Sequence, residues 1–526
     1  MPFMQCLRLC FLTGYWLAVV LTAAAQTPGS LDLSFADDGR LVERFDDLSP
    51  TNQLSTAVAI ALAPNGDIVV LGFANGNSLA PGQPTLARYL PNGSPDSSFA
   101  LDGFATLSEA YVALTDVVQA PDGSWLVLGD VDHGGMTGRD VVLTRVLPNG
   151  TEDQGFGPVS LNGSGGADQA RDLLLTAGED VLILAEDQGQ SPSAYLMAQV
   201  DLSGQPDSSF GANGRASGTF SGLASVPHQL LETDDGDLLM GLTLSDSSTM
   251  QARFEVRRFD SSGSPDPSFG TSGRILLAPN FETRDFVLAQ QADGRLVIGG
   301  ESNRGITGEE GKIELWRYLP DGQLDSSFQQ QLVNLRPGNE RVVALAIQPD
   351  GAILAGCETD TADWFILRYS STGAPDTTFA QGGLLRLDQM GGRETLAALT
   401  MQADGKLLVL GNTRPEFTLG GAPTRYWLLA RVETGLTSGV EPERKAAWQL
   451  WPNPSRGRQV TLRGPALAGP HFYRLLDAQG RVWAKGQWMP PVSVLRLPQA
   501  MPAGLYWLEL RGTSEHWGVP LLLLRP

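Results

Sequence analysis

The chain has few of the residues that most catalytic and metal-binding motifs require. Its 526 residues include three cysteines and four histidines, and the histidines show no spacing typical of a metal site: His133, His228, His471 and His516. No nucleophile elbow, zinc-protease motif or phosphate-binding loop occurs. The sequence therefore points to no catalytic residue, cofactor or metal. It leaves open a glycosidase or lyase whose acids come from distant parts of the chain.

Basic residues are also scarce. Lys and Arg number 37 against 58 Asp and Glu, which gives a formal net charge of −21. Nucleic acid and anionic lipid headgroups repel a protein of this charge, which mainly keeps it soluble. We predict no nucleic-acid partner.

The first 25 residues resemble a secretory signal peptide in composition. Arg8 is their one charged residue, residues 9–21 are largely apolar, and three alanines offer a cleavage site between Ala25 and Gln26. Because the apolar run is shorter than the roughly 20 residues of a membrane-spanning helix, we predict a cleaved leader and no transmembrane segment in the mature chain. Cleavage would leave Cys357 alone in an apolar run, as a buried small hydrophobe without an intrachain disulfide.

After the leader, sustained helical periodicity is lacking, whereas glycine and proline, the residues of tight turns, number 61 and 34. A phenylalanine recurs seven times, with an aspartate three positions before it. The phenylalanines are Phe35, Phe99, Phe156, Phe210, Phe269, Phe328 and Phe379. The aspartates are Asp32, Asp96, Asp153, Asp207, Asp266, Asp325 and Asp376. Such a period is the signature of a repeat architecture.

A second motif alternates with the first. Two apolar runs flank an Asp-Gly or Asn-Gly pair, the pattern of a tight β-hairpin, in six of the seven copies. The third copy has Glu179 and Asp180 there, which predicts a longer turn. Each repeat predicts four strands: one after the Phe motif, two around the hairpin, and one ending in the next Gly turn. Small sheets of this kind must stack, and radial closure protects their edges. We predict an all-β fold with a seven-bladed β-propeller over residues 26–434. A parallel β-helix is the alternative, but its turns are shorter than this repeat.

The pattern Gly-x-x-Asp-x-x-Phe followed by an Asp-Gly hairpin resembles the delta-60 repeat family of bacterial β-propellers. The resemblance implies the propeller fold and an exported protein, and it implies no particular activity.

The recurrent aspartate permits two interpretations. A calcium site in each loop would need three or more oxygen ligands close together, but these loops mostly supply one carboxylate plus Ser or Thr. We expect instead that the aspartate bonds to the turn backbone and that the phenylalanine packs between adjacent blades.

The loops on one face of the predicted propeller differ sharply between repeats, at residues 130–140, 302–314, 358–363 and 413–425. Variable loops on a rigid scaffold are a common place for binding, so we expect a protein or glycan ligand on this face or at the adjacent channel mouth. The candidate ligand-facing residues are Asp130, Asp132, Glu358, Asp360 and Asp363. Solvated loop charges explain these acids equally well.

After a predicted linker at 435–447, residues 448–526 show short alternating strands typical of a small Ig-like β-sandwich. Three motifs follow one another there: Pro452, Asn453 and Pro454; Asp477, Gly480 and Arg481; and Gly504 and Tyr506. In this order they resemble the type A C-terminal sorting domain of type IX secretion. The resemblance implies export across the outer membrane of a Gram-negative bacterium, recognition by the secretion machinery, and removal of the domain by its surface peptidase. Many such domains carry a lysine shortly before the last strand, where this chain has Trp517 to Pro520.

Together these features predict a secreted or cell-surface propeller that acts as a non-catalytic binding scaffold. The alternative is a carbohydrate-active enzyme, a glycosidase or lyase, with its acids in the channel. Two carboxylates facing each other across the channel beside exposed aromatic rings would favour the enzyme.

Overall fold

A computed structural model divides the chain into two compact units, Met1–Leu436 and Thr437–Pro526. It describes residues 27–435 except 37, 44–53, 77–81, 101, 135–137, 247–250, 278–286, 303–311, 330, 334–339, 360–363, 388–392 and 415–424, and beyond residue 448 it describes seven strands and Leu497. The predicted cleavage site at Ala25 and Gln26 lies outside the described residues, as do residues 436–447 of the predicted linker.

The first unit consists of seven four-stranded antiparallel sheets, or blades, whose first strands follow one another around a closed ring. The prediction of an all-β, seven-bladed propeller is confirmed. The innermost strands of blades 1 to 7 are β2 (Leu54–Leu62), β6 (Tyr111–Gln119), β10 (Asp168–Leu175), β14 (Ala224–Glu232), β18 (Val287–Gln290), β22 (Glu340–Ile347) and β26 (Arg393–Met401).

The two middle strands of each blade hold most of the core. The second strands are β3 (Ile68–Gly76), β7 (Trp125–Asp132), β11 (Val181–Asp187), β15 (Leu238–Asp246), β19 (Leu296–Ser302), β23 (Ile353–Thr359) and β27 (Leu407–Arg414). The third strands are β4 (Gln83–Tyr89), β8 (Arg139–Val146), β12 (Ala194–Val200), β16 (Gln251–Phe259), β20 (Lys312–Tyr318), β24 (Trp364–Tyr369) and β28 (Tyr426–Val432). Most of their described residues are buried because neighbouring blades cover both faces of each sheet.

The outer strands show that the sequence repeat is offset from the blade by one strand. They are β5 (Phe104–Thr106), β9 (Val159–Leu161), β13 (Arg215–Gly218), β17 (Ile275–Leu276), β21 (Gln331–Val333), β25 (Leu384–Leu387) and, for blade 7, β1 (Arg40–Glu43). The strand after each Phe motif therefore completes the preceding blade, and the Phe-motif turn joins strands within a blade rather than joining two blades. As a result, β1 pairs with β28 and closes the ring.

The hairpin between the first and second strands has the same form in every blade. Gly66 has a φ of 89°, and its amide donates to the carbonyl of Ala63. In blade 3, Glu179 occupies this place with a φ of 68° and donates to Thr176 in the same way. The prediction of a longer turn in the third copy is therefore wrong. A non-glycine residue adopts the left-handed conformation there, and the turn keeps its length.

The Asp-x-x-Phe motif acts as predicted within the described residues. Asp96 Oδ1 accepts hydrogen bonds from the amide of Ser98 at 2.9 Å and from its hydroxyl at 2.7 Å. Phe99 is fully buried and packs with side chains of blades 1 and 2, such as Leu86 and Trp125. The other copies repeat the bond to the backbone two residues on, at Asp32, Asp153, Asp207, Asp266, Asp325 and Asp376.

An arginine eight residues before the aspartate completes this motif. Arg88 Nε donates to Asp96 Oδ2 at 2.7 Å, its guanidinium lies over the Phe99 ring, and its Nη1 donates to the carbonyl of Pro148 in blade 2. One guanidinium thus links the turn, the buried ring and the next blade, through charge-assisted bonds and a cation–π contact. In blade 3, Gln199 replaces the arginine.

In the second unit the described strands form two antiparallel sheets, as a small β-sandwich requires. They are β29 (Gln449–Trp451), β30 (Gln459–Arg463), β31 (His471–Asp477), β32 (Val482–Trp488), β33 (Val492–Arg496), β34 (Gly504–Arg511) and β35 (His516–Leu523). One sheet has the order β29-β30-β33 and the other β32-β31-β34-β35. Asp477 ends β31, and Gly504 and Tyr506 lie in β34. Pro452, Asn453, Pro454, Gly480 and Arg481 lie outside the described residues.

Candidate functional site: the central channel

The seven innermost strands surround a central channel of about 640 Å³, and every blade contributes to its lining. This volume is within the range of ligand-binding cavities in proteins. A fold of this kind leaves such a space because the blades diverge from one axis, so side chains of the innermost strands decide whether it is filled or open.

A β-bulge recurs in the innermost strands. The register of pairing with the second strand shifts by one residue between Leu114 and Asp116 in blade 2, and between Ala170 and Asp172 in blade 3. Equivalent shifts occur in blades 1, 4, 6 and 7. A bulge turns the extra residue out of the regular alternation. Consecutive residues such as Arg171 and Asp172 therefore both line the channel.

The lining is polar on one side and apolar on the other. Blades 2 to 4 supply the polar arc: Thr115, Asp116, Arg171, Asp172, His228 and Gln229. Among the described residues of blades 5, 6, 7 and 1, the lining is mostly aliphatic, with Val58, Ile60, Val287, Val343, Leu345 and Leu399. No aromatic ring of Phe, Tyr or Trp lines the channel among the described residues.

Asp172 and Gln229 each join the innermost strands of two neighbouring blades. Asp172 Oδ2 accepts the amide of Leu230 in blade 4 at 2.6 Å, and its Oδ1 accepts the amide of Leu173 at 3.1 Å. Gln229 Oε1 accepts the amide of Leu288 in blade 5 at 2.9 Å, and its Nε2 donates to the Leu288 carbonyl at 3.2 Å. These side chains lie at equivalent places, so the polar arc also holds the ring together.

Asp116 lies beside Asp172 on the adjacent blade. Burial raises the pKa of the Asp116 carboxyl well above its usual range, and the negative charge of Asp172 raises it further, against a hydrogen bond from the Val117 amide. Burial also raises the pKa of Asp172 to about 6, although the amides of Leu230 and Leu173 oppose the shift. No ion pair joins either carboxyl to a described residue. Strongly shifted acids in a cavity are a physical signal of a functional site.

Arg171 does not neutralise this pair, because it is bound elsewhere. Its Nη2 forms an ion pair with the buried Glu186 of the same blade. His228 Nε2 lies 2.7 Å from the hydroxyl of Thr243. Among the described residues, Asp116 and Asp172 therefore have no cationic side-chain partner, while Arg171 Nε is itself buried without a hydrogen-bond partner.

Two of the predicted ligand-facing residues lie in strands and are buried. Asp130, in β7, is 1% exposed, and its Oδ1 accepts the amide of Ala170 in blade 3 at 2.7 Å. Glu358, in β23, accepts the amide of Leu396 in blade 7. Asn412 bonds to Ala57 of blade 1 in the same manner. These polar side chains satisfy backbone amides next to the bulges, so Asp130 and Glu358 are not loop residues, a correction to their predicted placement.

Asp130 nevertheless reaches the channel, whose lining it joins. Its second oxygen, Oδ2, is buried and has no hydrogen-bond partner among the described residues. Burial raises the pKa of Asp130 to about 6, while the Ala170 amide and the charges of Arg139 and Arg171 act in the opposite direction.

Asp132 is the exposed last residue of β7, at the end of the strand that leads into the variable loop. It lines a smaller cavity of about 360 Å³ together with Arg139, Asp168 and Gln188. Asp168 is 1% exposed, and its Oδ1 has no hydrogen-bond partner among the described residues. Burial raises its pKa to about 6, and the nearby Asp187 and Asp140 contribute. Asp360 and Asp363 lie outside the described residues.

The channel acids were missed in the sequence, although a signal for them exists. The residue seven positions before the hairpin glycine is Ala59, Val287, Ala344 or Ala398 in four copies, but Asp116, Asp172 or Gln229 in the other three, counted from Glu179 in copy 3. A polar residue at a repeat position that is otherwise small and apolar indicates a candidate functional position. Alignment of the seven copies on the hairpin would have shown it.

Among the described residues, no helix is long and apolar enough to cross a membrane. Nor do three or more His, Cys, Asp or Glu side chains come together there in a way that would hold a metal ion.

Comparison with known proteins agrees with the propeller fold. The family model described as a domain of unknown function (DUF5122) beta-propeller matches residues 63–99, 247–269, 291–328 and 348–379. No curated protein matches the sequence.

Several solved structures resemble the chain at low identity. An α-L-arabinofuranosidase from Fusarium graminearum, solved with an iminosugar inhibitor, is 8% identical, with 75% of this chain and 97% of that chain covered and a TM-score of 0.39. An α-L-arabinanase from Penicillium chrysogenum is 12% identical, with 78% and 99% covered and a TM-score of 0.38. The propeller domain of the Trilobed protease from Pyrococcus furiosus is 8% identical, with 74% and 98% covered and a TM-score of 0.41.

Proposed function

Since the chain is a β-propeller repeat protein, we propose that it is a secreted or cell-surface binding scaffold whose ligand enters the central channel and contacts the polar arc. The observation that carries the proposal is the asymmetric lining of a channel of about 640 Å³, with two acids on blades 2 and 3 that have no cationic partner among the described residues. A structural role does not account for Asp116. The hydrogen bond described for its carboxyl comes from the amide of Val117, the next residue of the same strand.

Two features support binding over catalysis. Asp116 and Asp172 lie on neighbouring blades rather than facing each other across the channel, and both oxygens of Asp172 already accept backbone amides. The described lining also lacks the aromatic platforms on which sugar rings commonly stack. The variable-loop face, with Asp132 beside the second cavity, would supply further contacts at the channel mouth.

The binding proposal is tested by a ligand screen with a channel variant. The full chain is immobilised and exposed to glycan arrays and to extracts of the native surroundings, and bound molecules are identified by mass spectrometry. Asp116→Asn should abolish or strongly weaken capture of any channel ligand, whereas Asp201→Asn, an equal charge change in an exposed turn, should not. Identical capture by all three proteins would refute a channel site.

A carbohydrate-active enzyme is the second candidate, because the raised pKa of Asp116 is what a general acid needs near neutral pH. It predicts release of reducing ends, or of unsaturated sugars, from some polysaccharide. Activity that disappears in both Asp116→Asn and Asp172→Asn, but persists in Asp201→Asn, would establish the enzyme. Binding without turnover would establish the scaffold.

We further propose that residues 448–526 direct export through the type IX machinery and are removed at the surface. The motif order around Asp477, Gly504 and Tyr506 supports this role. Deletion of 448–526 should leave the propeller folded but held in the periplasm of a host with that pathway. Surface display of the truncated chain would contradict it.

A further inference from the structure

We propose that the channel ligand is an organic cation, an alkylammonium or guanidinium group on an aliphatic stem, held by the carboxylates of Asp116, Asp172 and Asp130 against the apolar wall of blades 5 to 7 and 1. This inference rests on the proposed channel site and deepens it by naming the chemistry of the ligand.

The first argument is charge. Asp116 and Asp172 lie on the innermost strands of adjacent blades and line the same channel, and neither forms an ion pair with a described residue. Keeping two partly buried acids close together costs free energy unless a proton or a cation compensates them. The arginine of the described lining, Arg171, forms an ion pair with Glu186. A bound cation is the compensation that the described residues do not supply.

The second argument is an unused acceptor. Asp130 is 1% exposed and lines the same channel, and its Oδ2 has no hydrogen-bond partner among the described residues. Buried carboxylate oxygens in proteins are nearly always hydrogen-bonded. A donor from a ligand would satisfy this oxygen, and an ammonium or guanidinium group carries three to five N–H donors.

The third argument is the apolar wall. Val58, Val287, Val343 and Leu399 form the aliphatic part of the lining, on the blades other than those of the polar arc. A bare metal ion gains nothing from such a surface, and among the described residues no set of three acidic, His or Cys side chains could hold one. An aliphatic stem would bury apolar area there while its charged end reaches the acids.

Two sources carry this chemistry: the side chain of a lysine or arginine in a peptide, and a free alkylamine or polyamine. The test measures binding to the purified full chain by calorimetry at pH 7.5 and low salt. The probes are 1,5-diaminopentane, a capped tripeptide with a central lysine, and 1,5-pentanediol as the neutral counterpart of the diamine.

The wild type should bind at least one ammonium probe and should bind the diol much more weakly. Asp116→Asn should lower affinity for that probe by about tenfold or more, because a hydrogen bond to a charged group is lost. Asn can still accept the Val117 amide, so this variant should fold, which its melting temperature and circular dichroism check. Asp172→Asn gives a second measurement, and Asp201→Asn should bind like the wild type. Preference for the tripeptide would identify a protein ligand, and preference for the diamine a small one.

Equal binding of diamine and diol, or equal weakening by Asp201→Asn and Asp116→Asn, would overturn the cation assignment, as would the absence of binding by both ammonium probes. If the cation assignment fails in one of these ways but Asp116→Asn still weakens binding of a neutral ligand from the screen, the channel proposal stands and only the ligand class is wrong. If no ligand depends on Asp116, both proposals fail.

Discussion

Replacing Asp32 with asparagine should destabilise the propeller more than Asp96→Asn, the same change in another copy of the motif. Asp32 is 2% exposed, and its Oδ2 accepts Arg431 Nε at 2.7 Å and Lys406 Nζ at 2.6 Å. Burial alone would raise the pKa of Asp32, but bonds from Lys406 and Ser34 and the charge of Arg431 outweigh burial and hold it far below its usual range. Asp32 thus joins the start of the propeller to its last blade.

The expected loss of stability in Asp32→Asn follows from the contacts that the variant keeps and loses. Asparagine keeps an oxygen for Ser34, but it leaves the buried guanidinium of Arg431 without a carboxylate, which costs about 3 to 5 kcal/mol. Lys406 keeps Glu433 at 3.4 Å and contributes little to the loss. The matched control is Asp96→Asn, which removes the partner of one partly exposed arginine, Arg88, and should cost about 1.5 to 3 kcal/mol.

The assay is equilibrium unfolding of both variants in urea, followed by tryptophan fluorescence. The Asp32→Asn midpoint should fall below that of Asp96→Asn, with the slope of each transition compared to detect partial unfolding. Equal midpoints would refute the idea that ring closure depends on this carboxylate.

Three further predictions concern the core, the channel and the free thiol. Phe99→Ala should cost about 3 to 5 kcal/mol in urea unfolding, and Phe156→Ala less, because Phe99 is fully buried between blades while Phe156 is only partly buried. Asp172 has a pKa raised to about 6 in the folded protein, so the folded state takes up a proton as pH falls. The stability of the wild type relative to Asp172→Asn should therefore rise by about 1 kcal/mol from pH 7.5 to pH 5, and a flat difference would contradict the shift. Burial raises the pKa of the Cys357 thiol far above its usual range, so a thiol reagent should modify it in denaturant but not in the folded protein; rapid modification without denaturant would mean that the blade opens there.

The sequence predicted those features that repeat, because repetition makes the residues of one turn visible seven times. The Asp and Phe of each motif were assigned their roles correctly from spacing and residue type. The arginine that binds Asp96, eight residues earlier, was overlooked, although Arg88 stands at a fixed distance. The offset between repeat and blade was also missed, because pairing of β1 with β28 is a contact across nearly the whole unit.

The channel depends on contacts that no local pattern reveals. Asp116 and Asp172 are 56 positions apart, and only ring closure and the bulges bring them together. Asp130 and Glu358 were placed in loops because a polar residue after an apolar run commonly ends a strand. Here each strand continues, because the carboxylate accepts an amide of the next blade.

The pairing of β1 with β28 fixes where the ring is joined, and it brings distant parts of the backbone together. The amide of Gly29 donates to the carbonyl of Glu433 at 2.6 Å. A short peptide could therefore connect these positions while new ends are opened in another blade, between its third and fourth strands. Such circularly permuted chains would have their ends in a different blade while the propeller fold stays the same. Comparing their stabilities would show whether the protein is more stable with its ends at blade 7.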